Sequence, residues 1–268
     1  MKRLRSTAKD LRDLFESSIS AQHIAEHLLS FDEDACASKV RLFMDSRNFD
    51  VVGVRRDGLV DGYVEKTDLK DGALKDHRKG FSPLDIIDGT EALLATFERL
   101  CHFPRVFVRV LGRVGGIVTR GDLQKAPVRM WLFGLITLVE MHLLWIIRKT
   151  YKDGSWQQLL KPARLKDAEE LLAKRRQKGE EIDLAECLQL CDKRDIINSN
   201  SGLRKKLGYE PDSDADWEKD LKDLQNLRDN LAHAQLIKMR TGNWCELMEL
   251  AMKAEELLSK CEELQVQQ

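Results

Sequence analysis

Two stretches of sequence decide the fold: FDVVGVRRDGLVDGYVEKTDL at residues 49–69 and FPRVFVRVLGRVGGIVTRGDL at residues 103–123. Sliding the first by 54 residues lays it on the second, and at least nine positions then carry the same residue. Chance would give about one or two identities over such a window. The first half of the chain therefore contains an internal duplication. In the first copy the shared residues are Phe49, Val52, Val54, Gly58, Val60, Gly62, Val64, Asp68 and Leu69.

Each copy has the pattern of a β-hairpin. Alternating valines give the period of two of a half-buried strand, and RDG or LGR supplies the turn. A helical stretch precedes each hairpin, at residues 35–46 and 89–100. Asp68 and Asp122, which follow the hairpins, are predicted to begin a further helix near the positive end of its dipole.

Composition is that of an ordinary globular protein. The 268 residues are 43% hydrophobic, enough for two modest domains. The 44 basic residues nearly balance the 45 acidic ones, so any nucleic-acid surface must be local. The charged N-terminus lacks an apolar stretch, so we expect no signal peptide and a cytoplasmic protein. Cys187 and Cys191 lie one turn apart among leucines, which favours core thiols over metal ligands.

The segment WLFGLITLVEMHLLWII, residues 131–147, is almost wholly apolar. Its 17 residues reach the lower limit for a membrane span. Glu140 and His142 lie near its middle, where charge is costly in lipid. The sequence therefore favours a helix buried between other helices, and no membrane is expected as a partner.

The duplicated pattern resembles a tandem pair of cystathionine-beta-synthase (CBS) domains. Their signature, Gly-hydrophobic-x-Thr/Ser-x-x-Asp, is complete in the second copy, with Thr119 in the hydroxyl position and Asp122 at the end. The first copy keeps the glycine and Asp68 but has Glu65 in the hydroxyl position. The resemblance implies an α+β protein with β-α-β-β-α repeats at about residues 15–70 and 80–126.

CBS pairs commonly bind adenine nucleotides, so the resemblance implies ATP, ADP, AMP or a cyclic nucleotide as a regulatory ligand. Asp122 would accept the ribose hydroxyls, while Thr119 and the backbone near Gly116 would meet a phosphate. Arg120 could pair with phosphate oxygens.

The two copies are not expected to bind equally. Glu65 carries the same sign of charge as a phosphate and would repel it, so the site that contains Asp68 is expected to be the weaker one. The sequence therefore predicts one working site, around Asp122. The alternative is that Thr119 and Asp122 only cap a helix and bind nothing.

From about Pro127 the sequence has almost no strand signal, so residues 127–268 are predicted to form an all-helical domain. Glycine and proline separate the stretches with helical periodicity. These stretches are residues 128–149, 153–161, 164–178, 183–191, 193–207, 217–239 and 241–268.

One motif in this half points to chemistry: LQNLRDNLAHAQ, residues 224–235. An arginine five residues before a histidine is a weak signal, since about half a chance hit is expected. Its context resembles the Arg-(Asn/Asp/His)-x-x-x-His motif of the HEPN superfamily (higher eukaryotes and prokaryotes nucleotide-binding). Those proteins are helical-bundle dimers, and many are metal-independent endoribonucleases. The resemblance assigns the site to Arg228, Asp229, Asn230 and His233.

Arg228 and His233 are about 140° apart around a helix, so they do not share a face, whereas Asp229 and His233 do. A composite site between two chains is therefore expected. The implied reaction is attack of a 2′-OH on the adjacent phosphodiester. His233 would transfer the proton, Arg228 would stabilise the added charge, and Asn230 or Asp229 would orient His233 or the ribose.

The leading hypothesis is an adenine-nucleotide-sensing CBS pair that controls a metal-independent endoribonuclease, with a homodimer and RNA as partners and no DNA. Such a fusion would suit a phage-defence effector. Two alternatives stay open. Glu140 could support the motif as a partner of its catalytic residues, or it could form with Arg228 an ion pair whose only role is to hold two helices together. The helical domain could also be a non-enzymatic regulator that mediates dimerisation or docks a partner according to nucleotide state.

Overall fold

The computed structural model describes residue 13 and residues 18–210, 214–233, 235–237 and 244–266. The chain divides into two compact units between Val128 and Arg129. All seven strands of the described residues lie in the first unit, and the described part of the second is helical. The α+β prediction is therefore confirmed.

The first unit contains two sheets. Strand β1 (Glu26–His27) precedes the copies. The elements of the first copy are β2 (Ser30–Asp32), α1 (Ala37–Arg47), β3 (Val51–Arg56) and β4 (Leu59–Glu65). Those of the second copy are β5 (Ile86–Asp88), α2 (Leu93–His102), β6 (Arg105–Val110) and β7 (Arg113–Thr119).

Both copies have the same topology. In each, a short strand runs parallel to the first hairpin strand, which pairs antiparallel with the second. The sheets are ordered β2-β3-β4 and β1-β7-β6-β5, so β1 adds a strand beside β7 of the second copy. Valines on the inner face of each hairpin are fully buried, among them Val52, Val64, Val106 and Val118. Burial of each valine contributes roughly 1.5–3 kcal/mol to folding.

The duplication is confirmed in the strand register. All six residue pairs of the β3–β4 hairpin recur 54 residues later in β6–β7, and the irregularity after Val54 recurs after Val108. The turn residues also match, because Asp57 and Gly58 have positive φ, as do Leu111 and Gly112. Positive φ at both central residues is the geometry of a type I′ hairpin turn.

An ion pair that involves a further identical position, Arg55 and Arg109, is also repeated in the two copies. Arg55 pairs with Asp32 at 3.0 Å, and Arg109 pairs with Asp88 at 3.4 Å. The arginines are 54 residues apart. The two copies therefore share surface contacts as well as a core pattern.

The predicted helix after each hairpin is corrected by the structure. Asp68 ends a 3-10 turn at Lys66–Asp68, and the chain then reverses at Gly72, where φ is 111°. Asp122 lies in the 3-10 helix Arg120–Gln124, and only there does a long helix follow. That helix begins at Ala126, with Pro127 in its first turn, where a missing amide hydrogen has little cost.

The described residues from here on contain six α-helices: α3 (Ala126–Thr150), α4 (Pro162–Gln177), α5 (Leu190–Asn198), α6 (Ser201–Lys206), α7 (Asp214–Ala232) and α8 (Cys245–Val266). The stretch predicted at 153–161 contains the 3-10 helix Ser155–Leu159 in place of an α-helix, and the stretch predicted at 183–191 contains the 3-10 helix Leu184–Cys187 and the first two residues of α5. The stretch 193–207 is interrupted because the Asn200 side chain accepts a hydrogen bond from the Leu203 amide, which begins a new helix. The predicted ends at residues 239 and 268 and the predicted start at 241 lie outside the described residues, as does the predicted start of the first repeat at residue 15.

Helix α3 is long and apolar enough to cross a membrane by length and composition, yet 61% of its apolar window is buried inside the protein. Its polar residues have protein partners: Glu140 forms two ion pairs, and His142 Nδ1 lies 3.0 Å from Gln265 Nε2. These features favour the interpretation of α3 as a buried core helix.

Candidate functional sites

Thr119 and Asp122 of the second copy form a helix cap. Asp122 Oδ2 accepts hydrogen bonds from the Thr119 amide at 2.7 Å and from the Thr119 hydroxyl at 2.9 Å. Asp122 is 7% exposed. The cap anticipated as the alternative to nucleotide binding is therefore present, and it occupies one carboxylate oxygen of Asp122.

Lys125 occupies the other oxygen. Its Nζ lies 2.8 Å from Asp122 Oδ1, donates to the Ile24 carbonyl at 2.7 Å and also pairs with Glu26. Burial lowers the pKa of Lys125, but the hydrogen bonds to Asp122 and Glu26 outweigh it and hold the pKa above its ordinary value. Lys125 is not part of the predicted site, although its position three residues after Asp122 was a usable signal.

Gly116 and Arg120, the other two residues predicted for this site, each contact a neighbouring segment. A Cβ added to Gly116 would lie 3.2 Å from Val108 Cβ and 3.3 Å from Ala25 Cβ, so glycine allows the N-terminal segment to approach β7 closely. Arg120 Nε donates to the carbonyl of Leu100 at 3.1 Å, near the end of α2.

In the first copy, two carboxylates are balanced by two cations. Glu65 pairs with Arg105 and, at 3.3 Å, with Lys79, whose ammonium lies 2.6 Å from Asp68. The hydrogen bond from Lys79 holds the pKa of Asp68 below its ordinary value, against a smaller opposing effect of burial. The charge of Glu65, on which the expected inequality of the copies depends, is thus compensated within the protein.

Arg105 joins the two copies. It is the strand partner of Thr119 in the second copy, and its guanidinium pairs with Glu65, the residue at the Thr119 position of the first. The same guanidinium lies 5.4 Å from the centre of the Tyr63 ring, which packs against Phe107 at 4.8 Å. The two signature segments are therefore connected through one arginine.

In the helical unit, Arg228 is held by carboxylates. Its Nη1 donates to Glu140 of α3 at 2.9 Å, and its Nε and Nη2 donate to Asp229 at 3.1 and 2.8 Å. Lys193 Nζ donates to the other oxygen of Glu140 at 3.1 Å. Burial lowers the pKa of Arg228, but these two carboxylates raise it above its ordinary value. Glu140 thus reaches the motif, and Lys193 is a partner that the sequence analysis missed.

His233 lies just beyond the end of α7, and its side chain is exposed. Its amide donates to the Asp229 carbonyl at 3.1 Å, and Asn230 is half-buried one turn earlier. Arg228 turns instead toward α3. The structure therefore brings Arg228 and Asp229 together and places His233 apart from the Glu140 contact, as the spacing of five predicts.

Among the described residues, no group of three or more His, Cys, Asp or Glu could hold a metal ion. Cys187 is buried and Cys191 half-buried, and both thiols are free.

No protein-family model matches this sequence. No curated protein matches it either.

Solved structures do resemble part of the chain. The CBS-pair protein CBSX2 from Arabidopsis thaliana is 16% identical, with 42% of this chain and 96% of that one covered and a TM-score of 0.36. CBSX2 in complex with AMP is 17% identical over 42% and 99% of the chains, with a TM-score of 0.38. The CBS domain of the bacterial CNNM/CorC family Mg2+ transporter in complex with ATP is 12% identical over 45% and 94%, with a TM-score of 0.36. Similarity at this level does not identify a ligand for this chain.

Proposed function

We propose that this chain senses an adenine nucleotide through its N-terminal unit and thereby controls a metal-independent endoribonuclease in its helical unit. The functional domains are residues 1–126 and 127–268, and the protein acts as a cytoplasmic homodimer. One observation supports the sensing part above all: two copies of one hairpin, the second ending in the complete Gly–Thr–Asp signature at Asp122.

The proposed nucleotide site is centred on Asp122. A carboxylate accepts two hydroxyl donors, so it suits a ribose, and the cations Arg120 and Lys125 suit a phosphate. Lys125 Nζ pairs directly with both Asp122 and Glu26, and a bound phosphate could replace those partners. AMP and ATP are the first ligands to test, because similar structures contain them.

The proposed reaction is RNA cleavage at the adjacent 2′-OH. His233 is exposed, so its imidazole can meet a substrate and transfer the proton. Arg228 would supply positive charge to the phosphorane. Because these side chains point in different directions within one chain, the site is proposed to combine Arg228 of one chain with His233 of the other.

The test is cleavage of single-stranded RNA by the purified chain in the presence of a chelator. His233→Ala is expected to lower the rate by about 100-fold or more, since general acid–base catalysis contributes that much. His102→Ala removes another exposed histidine and serves as the control. Wild-type protein that cleaves RNA no better than His233→Ala would end the enzyme proposal.

A mixing experiment tests the composite site. Arg228→Gln and His233→Ala chains, each inactive alone, are unfolded together and refolded as an equal mixture. Half of the dimers then contain both variants, and each mixed dimer has one intact pair, so about a quarter of wild-type activity should return. A mixture that stays inactive while refolded wild type is active would place both residues of the pair in one chain.

The second candidate function is a non-enzymatic regulator whose helical unit docks a partner according to nucleotide state. The engagement of Arg228 by Glu140 and Asp229 favours it, because an arginine paired twice is less available to a substrate. Nucleotide binding without RNA cleavage in the assays above would support this candidate.

A further inference from the structure

We propose that Arg129 is the positioning residue for His233, holding the turn that carries it; this inference rests on the proposed ribonuclease function. Arg129 belongs to the first turns of α3 and was not part of the predicted motif. Three hydrogen bonds join its guanidinium to the end of α7.

These bonds lie at the C-terminal end of α7 and just beyond it. The last carbonyls of an α-helix have no partner within it, and a cation near them is favourable. Arg129 Nη2 donates to the carbonyls of Asn230 and Leu231, both at 3.2 Å. Its Nη1 donates to the carbonyl of Gln235 at 2.8 Å. The guanidinium of Arg129 on α3 therefore caps the C-terminal end of α7.

The three accepting carbonyls belong to residues before and after His233 in the sequence. Leu231 lies two residues before it and Gln235 two residues after it. Two backbone hydrogen bonds add to these contacts: the His233 amide donates to the Asp229 carbonyl at 3.1 Å, and the Gln235 amide donates to the Asn230 carbonyl at 2.9 Å. The direction in which the imidazole leaves the backbone is thus set by a turn that Arg129 holds on both sides.

The same helix also holds the other half of the motif. Glu140, eleven residues after Arg129 on α3, pairs with Arg228. One helix therefore contacts the Arg228 side chain through a carboxylate and, through a guanidinium, backbone carbonyls before and after His233. Positioning matters for the reaction because a displacement of about 1 Å can lower a rate about 100-fold.

The first test is spectroscopic and needs no activity. The ring resonances of His233 are assigned by their loss in His233→Ala, and amide exchange is measured at His233 and Gln235. In Arg129→Gln we expect the ring resonances to shift or broaden and amide exchange to accelerate at least about tenfold, because the turn opens more often. Arg129→Lys keeps the positive charge but not the planar guanidinium, so its effects on the ring resonances and on amide exchange should be intermediate.

Arg176→Gln is the matched control. Arg176 also donates twice to a backbone carbonyl, that of Ile182, at 3.4 and 3.2 Å, but it is remote in sequence from the motif. His233 resonances and exchange should be unchanged in this variant. Equal behaviour of Arg129→Gln and Arg176→Gln at His233 would overturn the proposal, and if Arg129→Gln does not fold, the same comparison is made with Arg129→Lys.

The second test is kinetic. Arg129→Gln should lower kcat about 10- to 100-fold with little change in KM, and Arg129→Lys should recover part of it. An unchanged kcat would also overturn the proposal. If wild type does not cleave RNA, the ribonuclease proposal fails, while the spectroscopic test still decides whether Arg129 holds His233.

Discussion

Lys125 Nζ lies 2.8 Å from Asp122 Oδ1, so the carboxylate proposed to bind the ribose already has an ammonium partner. The other oxygen of Asp122 is occupied by the Thr119 amide and hydroxyl. A ribose must therefore replace Lys125 at Asp122. A nucleotide can offer the released ammonium a phosphate, whereas a nucleoside cannot.

Lys125→Met should accordingly tighten adenosine binding about tenfold, because a charge-assisted hydrogen bond no longer has to be broken. AMP should gain less, since the variant also loses a phosphate partner. Calorimetry gives both affinities, with the exposed Lys70→Met as control and Asp122→Ala as the expected loss. If Lys125→Met weakens adenosine as much as Asp122→Ala does, the lysine helps to hold the ribose and does not compete with it.

Glu65→Thr should create a second nucleotide site. The change restores the signature hydroxyl in the first copy, removes the carboxylate that pairs with Arg105 and leaves Lys79 paired only with Asp68, so both cations can meet a phosphate. The calorimetric stoichiometry should rise from about one nucleotide per chain to about two. A stoichiometry that stays at the wild-type value would show that something other than Glu65 closes the first site.

Glu140→Gln should destabilise the helical unit. It leaves Arg228 and the buried Lys193 without their shared counter-charge, and an unpaired buried charge is costly. We expect the free energy of unfolding to fall by roughly 1–3 kcal/mol, measured by urea denaturation. The exposed Glu170→Gln, which breaks an i,i+4 pair with Lys166, should change it by less than about 0.5 kcal/mol. Equal losses in the two variants would mean that the Glu140 cluster adds nothing to stability.

The thiols give a check on the fold by pH-dependent reactivity. Hydrogen bonding to Ser38 lowers the pKa of the exposed Cys36, while burial raises the pKa of Cys261 to about 12. Because the thiolate is the reactive form, Cys36 should be alkylated first and Cys261 last between pH 7 and pH 9 in the native protein. Mass spectrometry of the alkylated peptides measures the order, and unfolding in urea should abolish it. Native Cys261 reacting as fast as Cys36 would contradict the packing of α8.

The hairpins could be predicted because their signal is local. Val52 and Val54 keep the strand period of two, and Asp57 and Gly58 supply the turn, so strand period and turn lie within one window. A repeat offset of 54 then predicted the second hairpin from the first, and the register agrees pair by pair.

The contacts that define the sites could not be predicted, because their partners are distant in sequence. Arg105 meets Glu65 across 40 residues, and Arg129 meets Asn230 across 101. No period or motif relates such residues, and only the packing of the elements brings them together. The break at Asn200 was missed for a different reason: a side-chain cap competed with helical periodicity and prevailed.

In the proposed mechanism, a nucleotide bound near Asp122 controls RNA cleavage at His233. The most direct measurement is the RNA cleavage rate of wild type and Asp122→Ala as AMP or ATP is added. We expect the wild-type rate to change at least about fivefold, the lower range of allosteric coupling, and Asp122→Ala to cleave RNA at a rate that no nucleotide alters. A wild-type rate that stays constant while calorimetry shows the nucleotide bound would contradict the account.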